Sequence, residues 1–279
     1  MLTVDCPDGP GLIHAVSGFL FHRSGNILES QQFEDHLTGR FFLRIEFETL
    51  DEAWPIERLR EEFADVAASY AMNWQLWNAT TPHRTLLMVS KDGHCLNDLL
   101  FRWRTGALQI EIPAVVSNHR DLEPLVTPYG IPFHHIPVTA NTKSAAERRL
   151  VALIEELDID LVVLARYMQI LSDDLCRRLS GRAINIHHSF LPSFKGARPY
   201  HQAFDRGVKL VGATAHYVTA DLDEGPIIEQ DVLRVDHRAS VDEIVAAGRD
   251  VEAQVLSRAV RWHAQTRVLL NGHKTVVFR

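Results

Sequence analysis

Cysteine is scarce in this sequence, and long apolar runs are missing from it. The 279 residues include three cysteines, Cys6, Cys95 and Cys176, which are widely spaced and form no CxxC pair. An odd, scattered set excludes a disulfide framework and predicts reduced, buried thiols. The chain does not open with a basic segment followed by an apolar stretch, and no apolar run reaches the roughly 18 residues of a membrane span. A soluble, cytoplasmic protein is expected.

An excess of positive charge is also absent. Lysine and arginine number 29 against 36 aspartates and glutamates, so the formal net charge is -7. Binding to DNA or tRNA normally needs a basic face, and a nucleic-acid partner is therefore disfavoured. The chain contains neither GxSxG nor HExxH, and its cysteines have no obvious activating neighbours. Nucleophilic serine, zincin and thiol mechanisms consequently find little support.

The first 80 residues alternate strand and helix patterns. "LTVDC" is short and β-prone, and "GLIHAVSGFLFHRSG" has apolar residues at helical spacing. "NILESQQFED" and "FFLRIEFE" predict a hairpin around Gly39, a helix starts near Pro55, and "NWQLWN" is a fourth strand. The order βαββαβ predicts a ferredoxin-like domain over residues 1–80.

A polar segment interrupted by Pro82, "ATTPH", marks the expected domain boundary. From residue 84 to 279, continuous apolar segments such as "RTLLMVS", "DLVVLA", "AINIHHS" and "LVGATAHYVT" are mostly separated by helical patterns. This rhythm is typical of buried parallel strands, and it predicts a Rossmann-like open α/β sheet. In such sheets, sites form beyond the carboxyl ends of the strands.

The stretch "NIHHS", residues 185–189, lies at one of these predicted strand ends. Side chains alternate along a strand, so Asn185 and His187 share a face while His188 points the other way. An amide donor beside an imidazole can stabilise negative charge on a carbonyl oxygen during acyl transfer. A histidine at a strand end is, however, more often a hydrogen-bonded structural residue. The following loop, "SFKGARPYHQAF", is predicted to carry substrate contacts.

A partner for the imidazole is available in "TADLDEGPII". Asp223 lies there in a tight turn, either as a solvated carboxylate or, if the two strand ends are neighbours, as the group that holds His187 and exchanges protons. The pairs of adjacent histidines at 134–135 and 187–188 face opposite sides of a regular strand, so neither pair can chelate a metal and no metal site is predicted.

These residues resemble the folate-dependent formyltransferase family. "NIHHSFLPSFKGARPYHQAFDRGVKLVGATAHYVTADLDEGPIIEQ" is similar to its catalytic stretch, and "LVVLARYMQILS" to its folate-binding segment. The resemblance implies that Asn185, His187 and Asp223 are catalytic and that no metal or redox cofactor is needed, since the folate is a substrate. It also implies a group of pterin-binding residues: Met168, Gln169, Ile170, Leu171, Thr219, Ala220, Asp221, Leu222 and Glu224.

The N-terminal segments "DCPDGPGLIHAVSGFLFHRSGNI" and "FEDHLTGRFFLRIEF" resemble an ACT domain, and an ACT domain ahead of this catalytic domain is the arrangement of the formyltetrahydrofolate deformylase family. That resemblance implies hydrolysis of 10-formyltetrahydrofolate by water, which supplies formate for purine biosynthesis and balances the one-carbon folate pools. The loop "SKDGHCLND" also favours hydrolysis. Ribonucleotide transferases have a glycine-rich phosphate-binding loop at this place, whereas the loop here contains a single glycine. Formyl transfer to glycinamide ribonucleotide and a non-catalytic folate and amino-acid sensor remain the alternatives.

ACT domains commonly associate and bind amino acids, so the resemblance implies a homo-oligomer with an amino-acid effector. Asp8, Gly9, Gly11 and Asn26 match positions where such ligands are held, and free amides at a helix start suit a carboxylate. The same residues also suit plain turn and capping roles.

Overall fold

The computed structural model describes residues 1–50, 54–192 and 199–279, with the side chain of Pro199 left out. Two compact units are present, and the chain passes between them near residues 81 and 82. Cys6, Cys95 and Cys176 are buried and unpaired, as the sequence predicts. In the described part of the chain, none of the helices combines the length and the apolar character that crossing a bilayer requires.

The first unit has the predicted βαββαβ order. Its four strands form an antiparallel sheet in the order β2-β3-β1-β4. The two helices bury apolar residues such as Val16 and Phe63 on this sheet, together with Val4 and Leu43 from the strands. The elements are β1 (Leu2–Pro7), α1 (Leu12–Phe21), β2 (Gly25–Asp35), β3 (Arg40–Thr49), α2 (Ile56–Ser69) and β4 (Asn73–Leu76).

The first unit also includes the end of the chain. A hairpin of β13 (Val268–Asn271) and β14 (Lys274–Val277) closes the sequence, and residues 265–271 and 276–279 belong to the first unit. Phe42 packs there with Leu269 and Phe278. This differs from the sequence analysis, which placed all of 84–279 in the second domain, because an apolar contact between distant segments leaves no local pattern.

The second unit, residues 82–264 and 272–275, contains a mixed sheet flanked by helices. Its strand order is β12-β11-β10-β9-β5-β7-β8, and β6 pairs with β5. The elements are β5 (His83–Val89), α3 (His94–Arg104), β6 (Ile110–Glu111), β7 (Val115–Ser117), α4 (Glu123–Val126), β8 (Phe133–His135), α5 (Lys143–Glu156), β9 (Leu161–Leu164), α6 (Asp173–Arg178), β10 (Ala183–His187), α7 (Pro199–Asp205), β11 (Leu210–Tyr217), β12 (Ile227–Arg234) and α8 (Val241–Ala264).

Five strands of this sheet, β8, β7, β5, β9 and β10, run parallel, which confirms the predicted parallel sheet. The segment "LVGATAHYVT" is an exception, because β11 pairs antiparallel with β10. The sequence analysis was wrong to group it with the parallel strands: burial on both faces produces a continuous apolar run whichever way a strand points. Strand β12, also antiparallel, continues the sheet beyond β11.

Candidate active site

The catalytic trio implied by the sequence meets at one place in the second unit. Asn185 and His187 lie near the carboxyl end of β10, and Asp223 lies in the loop between β11 and β12. Nδ1 of His187 is 3.2 Å from Oδ1 of Asp223. The carboxylate can only accept, so Nδ1 donates. The condition set by the sequence analysis, that the two segments be neighbours in space, is therefore met.

A fourth polar residue, His216, joins this group and was missed from the sequence. Asn185 is directly opposite His216 in the antiparallel register of β10 and β11, and residues opposite each other in such a pair have side chains on the same face. Nδ2 of Asn185 lies 3.2 Å from Nε2 of His216. The only signal in the sequence was the polar residue inside the apolar run "ATAHYV".

The hydrogen bonds of His216 fix the orientation of the Asn185 amide. Nδ1 of His216 is 2.9 Å from the carbonyl oxygen of Tyr217. A carbonyl cannot donate, so the proton is on Nδ1, and Nε2 accepts from the Asn185 amide. Burial lowers the pKa of His216, although the Tyr217 carbonyl opposes this shift. A neutral imidazole in one tautomer thus sets the direction of the Asn185 N–H groups.

The other two members of the group are Asp223, which is charged, and His187, which has one nitrogen without a partner in the described part of the chain. The hydrogen bond from His187 lowers the pKa of Asp223 and outweighs partial burial, so this carboxylate is ionised at neutral pH. Nε2 of His187 is buried and has no hydrogen-bond partner among the described residues. An unpaired buried nitrogen is unfavourable unless a substrate completes it.

His188 differs from its neighbour in sequence. Burial, assisted by the positive charge of Arg166, lowers the pKa of His188 to about 4. This imidazole is neutral near pH 7 and carries no proton to donate as an acid. His187, in contrast, is the histidine of this pair that contacts Asp223.

The turn that holds Asp223 depends on Gly225. Asp223 has a left-handed backbone, with φ of 59°, a conformation that Asp tolerates better than most residues. A Cβ at Gly225 would lie 1.7 Å from the carbonyl oxygen of Tyr217. The loop can return along β11 only because residue 225 has no side chain, which explains the glycine of "DEGP" in physical terms.

A cavity of about 570 Å³ surrounds the trio. This volume suits a small-molecule ligand. The implied pterin-binding residues Met168–Leu171 and Thr219–Leu222 line it, whereas Glu224 does not. Glu224 is exposed beside the cavity. The full lining is Leu164, Arg166, Tyr167, Met168, Gln169, Ile170, Leu171, Cys176, Asn185, Ile186, His187, His188, Tyr200, His201, His216, Val218, Thr219, Ala220, Asp221, Leu222, Asp223 and Val245.

The predicted substrate loop "SFKGARPYHQAF" is described only in part. Residues 193–198 lie outside the described residues. Its later portion forms α7, and Tyr200 and His201 of this helix line the cavity. The described part of the loop thus reaches the site.

The residues proposed for an effector lie in the first unit. The backbone N–H of Asp8 donates to Gly39, and the Asn26 side chain donates to Glu48 at 3.0 Å. Gly11 begins α1 with φ of 91° and no side chain caps that end of the helix. No described side chain thus occupies the amides at this helix start, whereas the side chain of Asn26 already has a partner.

A buried polar cluster also borders the cavity. Glu252 of α8 accepts hydrogen bonds from the Tyr200 hydroxyl at 2.8 Å and from Nε2 of His94 at 2.9 Å. Arg166 lies 3.5 Å from the same carboxylate and donates to Asp92 at 3.0 Å. Sequence reasoning did not identify Arg166 or Glu252, because the residues come from separate elements with no shared motif.

Comparison with known proteins identifies the class first. Residues 83–260 match the formyl transferase family, so the second unit is a formyl transferase domain. Formyltetrahydrofolate deformylases resemble the whole chain. The enzyme of Corynebacterium sp. is 54% identical over 100% of this chain and 98% of its own length, and that of Bacillus subtilis is 49% identical over 99% and 93%.

A solved structure gives the same result. The crystal structure of a formyltetrahydrofolate deformylase from Pseudomonas syringae pv. tomato superposes with a TM-score of 0.97 at 47% identity, covering 100% of this chain and 93% of that one. The chain belongs to the formyltetrahydrofolate deformylase family.

Proposed function

We propose that this protein hydrolyses 10-formyltetrahydrofolate to formate and tetrahydrofolate. The observation that carries the proposal is the 3.2 Å contact between His187 and the ionised Asp223, beside Asn185, in a ligand-sized cavity. The full-length similarity to deformylases supports hydrolysis over the two alternatives, formyl transfer to glycinamide ribonucleotide and a folate sensor without activity.

In this mechanism, the formyl oxygen is held by the Asn185 amide and by His187. Water attacks the formyl carbon, and negative charge develops on the formyl oxygen. The free N–H of the Asn185 amide stabilises that charge, and so does Nε2–H of His187 when the ring carries both protons, since Nδ1–H is held by Asp223. Asp223 accepts a proton from the attacking water. The oxygen of water bonds to carbon, the bond from carbon to N10 breaks, and the proton passes through the same group to N10 as tetrahydrofolate leaves.

The pterin is proposed to bind between the segment Met168–Leu171 and the loop Thr219–Leu222. Met168, Ile170 and Leu222 are large apolar side chains that are 54%, 61% and 59% exposed, although they line a cavity. Apolar side chains that remain exposed in this way suit a flat heterocycle. The substrate itself brings the one-carbon unit at the formyl level, so the proposed reaction calls for no metal or redox cofactor.

The loop after β5 supports water as the acceptor. In "SKDGHCLND", Gly93 begins α3, and a Cβ there would lie 2.9 Å from Leu122. Asp92 and His94 on either side of it hold Arg166 and Glu252. The side chains of this loop thus serve the protein's own polar cluster, which argues against a role as an open phosphate cradle.

The test is formate release from 10-formyltetrahydrofolate without an acceptor, repeated with glycinamide ribonucleotide present. We expect catalytic release that the ribonucleotide does not change. The Asp223→Asn variant keeps the size of the side chain but cannot take up the proton, and it should lose most turnover. Release that depends on the ribonucleotide would mean a transferase, and binding without any release would mean a sensor.

We also propose that the first unit binds a small amino acid and associates with a second copy. The support is the uncapped start of α1 at Gly11 and the ACT resemblance of this βαββαβ unit. Calorimetric titration of glycine and of methionine tests the ligand, and sedimentation tests the association. No heat from either amino acid would leave this unit with a purely structural role.

A further inference from the structure

We propose that Arg166, clamped by Asp92 and Glu252, determines which nucleophile enters the cavity, and that it excludes nucleophiles larger than water. The inference rests on the proposed hydrolase activity and deepens it, because it concerns the second substrate of the same site. It is carried by the geometry of the polar cluster in the cavity wall.

Arg166 occupies an unusual position for its side chain. It lies two residues after the end of β9 and has a left-handed backbone, with φ of 67°. A long side chain in this region is strained and persists only where the surroundings hold it. The side chain is only 12% exposed, and it lines the same cavity as Asn185 and His187.

The surroundings that hold Arg166 are built from three other elements. Nη2 donates to Asp92, before α3, at 3.0 Å, and Nε lies 3.5 Å from Glu252, which is 1% exposed. Tyr200 of α7 fixes the other oxygen of Glu252 at 2.8 Å. Gly248 makes room for that ring, since a Cβ there would lie 2.2 Å from Tyr200 Cζ. Arg166 is thus held in the cavity wall by polar contacts from separate elements.

The cluster around Arg166 lowers the stability of the folded protein, and no step of the proposed mechanism uses it. Nε and Nη1 of Arg166 are buried without hydrogen-bond partners among the described residues. Buried charges with incomplete partners reduce stability relative to apolar packing. An arrangement of this kind in the wall of the cavity that contains the trio motivates a functional hypothesis.

A metal site is a weaker explanation of the same cluster. The potential ligand atoms of His94, Cys95 and Glu252 lie within 4.8 Å of one another. Both carboxylate oxygens of Glu252 already accept hydrogen bonds, however, and the positive guanidinium of Arg166 lies 3.5 Å from one of them. Burial also raises the pKa of the Cys95 thiol, which opposes its use as a thiolate ligand.

Selection of the nucleophile would explain why the Arg166 cluster is kept. In hydrolysis, the oxygen of water bonds to the formyl carbon, the bond from carbon to N10 breaks, and one proton of water ends on N10. In transfer to an amine, nitrogen forms the new bond and one amine proton ends on N10. The two reactions differ in the space that the nucleophile needs, because an amine carries a substituent and water carries none. A side chain held in the wall of the cavity that contains the trio therefore favours water.

The test is the partition of the formyl group between formate and a formylated amine, measured by mass spectrometry with glycinamide or glycinamide ribonucleotide present. Arg166→Gly removes the wall and also relieves the left-handed backbone. We expect at least a tenfold shift of the partition towards the formylated amine. Arg166→Met keeps most of the volume without the clamp, and an intermediate shift is expected from it.

Arg249→Ala is the matched control. Arg249 also lies near Asp92, at 3.7 Å, but its side chain is 51% exposed and does not line the cavity. The Arg249→Ala variant should divide the formyl group between formate and the formylated amine in the same ratio as the unaltered protein. Thermal midpoints of all variants identify any that fail to fold.

The outcomes separate this inference from the proposed function. If the unaltered protein hydrolyses the folate and both Arg166 variants share its partition, the inference is overturned and the function stands. An equal shift in Arg249→Ala would also overturn it, since the effect would not come from the cavity wall. If the unaltered protein releases no formate, the proposed function fails, and the inference that rests on it fails too.

Discussion

A single methyl group at Gly225 should disable the enzyme without unfolding it. The Cβ of Gly225→Ala would lie 1.7 Å from the Tyr217 carbonyl oxygen, which is 1.3 Å short of the 3.0 Å limit that real Cβ atoms respect. The same carbonyl oxygen also accepts the hydrogen bond from Nδ1 of His216. The turn must therefore shift by about an ångström, and Asp223 lies only two residues away.

The expected loss follows from this displacement. Misplacement of a reacting group by about 1 Å costs on the order of 100-fold in rate, so we expect kcat for formate release to fall by about two orders of magnitude. Folate affinity should change less than kcat, because only the loop Thr219–Leu222, which precedes Asp223, is disturbed, while Met168–Leu171 on the other side of the proposed pterin site is untouched. The assay is steady-state formate release combined with equilibrium folate binding and a thermal melt.

A crowded glycine away from the site provides the control. A Cβ at Gly212, in β11, would lie 2.3 Å from the Asp231 carbonyl oxygen, so Gly212→Ala should lower the thermal midpoint while the folded fraction keeps its turnover. If Gly225→Ala retained nearly full kcat, the idea that this turn positions Asp223 would be refuted.

Further predictions concern the trio and two histidines. Asn185→Ala and His187→Ala should each lower kcat by about 100-fold to 1000-fold with folate binding retained, and near-normal turnover would exclude their role as oxyanion donors. His216→Phe removes the acceptor of the Asn185 amide and should lower kcat by roughly tenfold with little change in KM; an unchanged kcat would contradict this. Desolvation and the neighbouring His83 lower the pKa of His263 from 6.5 to about 3. The unfolded chain therefore binds more protons between these values, and the free energy of unfolding should fall by roughly 2 to 4 kcal/mol as the pH drops through this window. Chemical unfolding of His263→Gln should show a flatter profile, and an equal slope would reject the attribution.

The parallel core of the second unit could be predicted because its strands are buried on both faces. Leu86–Val89 and Leu161–Leu164 are all buried, and such strands have continuous apolar sequences without alternation. The same property concealed the direction of β11, whose residues Val211–Tyr217 are equally buried. Strand direction follows from the path of the connecting chain, which the apolar pattern does not record.

Part of the polar site could be predicted from the sequence because it depends on a local pattern. Asn185 and His187 share a face through the two-residue period of a strand, which is a local property. The contact of His216 with Asn185 depends on the register between β10 and β11, which is a property of two segments together. The contact between Arg166 and Glu252 could not be predicted from a local pattern, since Arg166 lies in a loop and Glu252 lies in the interior of a distant helix.

The hairpin at the end of the chain has a consequence for synthesis on the ribosome. Phe42 packs on Leu269 and Phe278, and Arg44, 1% exposed, donates to the backbone of Gln265. Residues 42 and 44 can therefore bury their side chains fully only after residues 265–278 have left the exit tunnel. Nascent chains halted before residue 265 should leave Phe42 and Arg44 uncovered, so the first unit waits for a segment that is translated after most of the second unit.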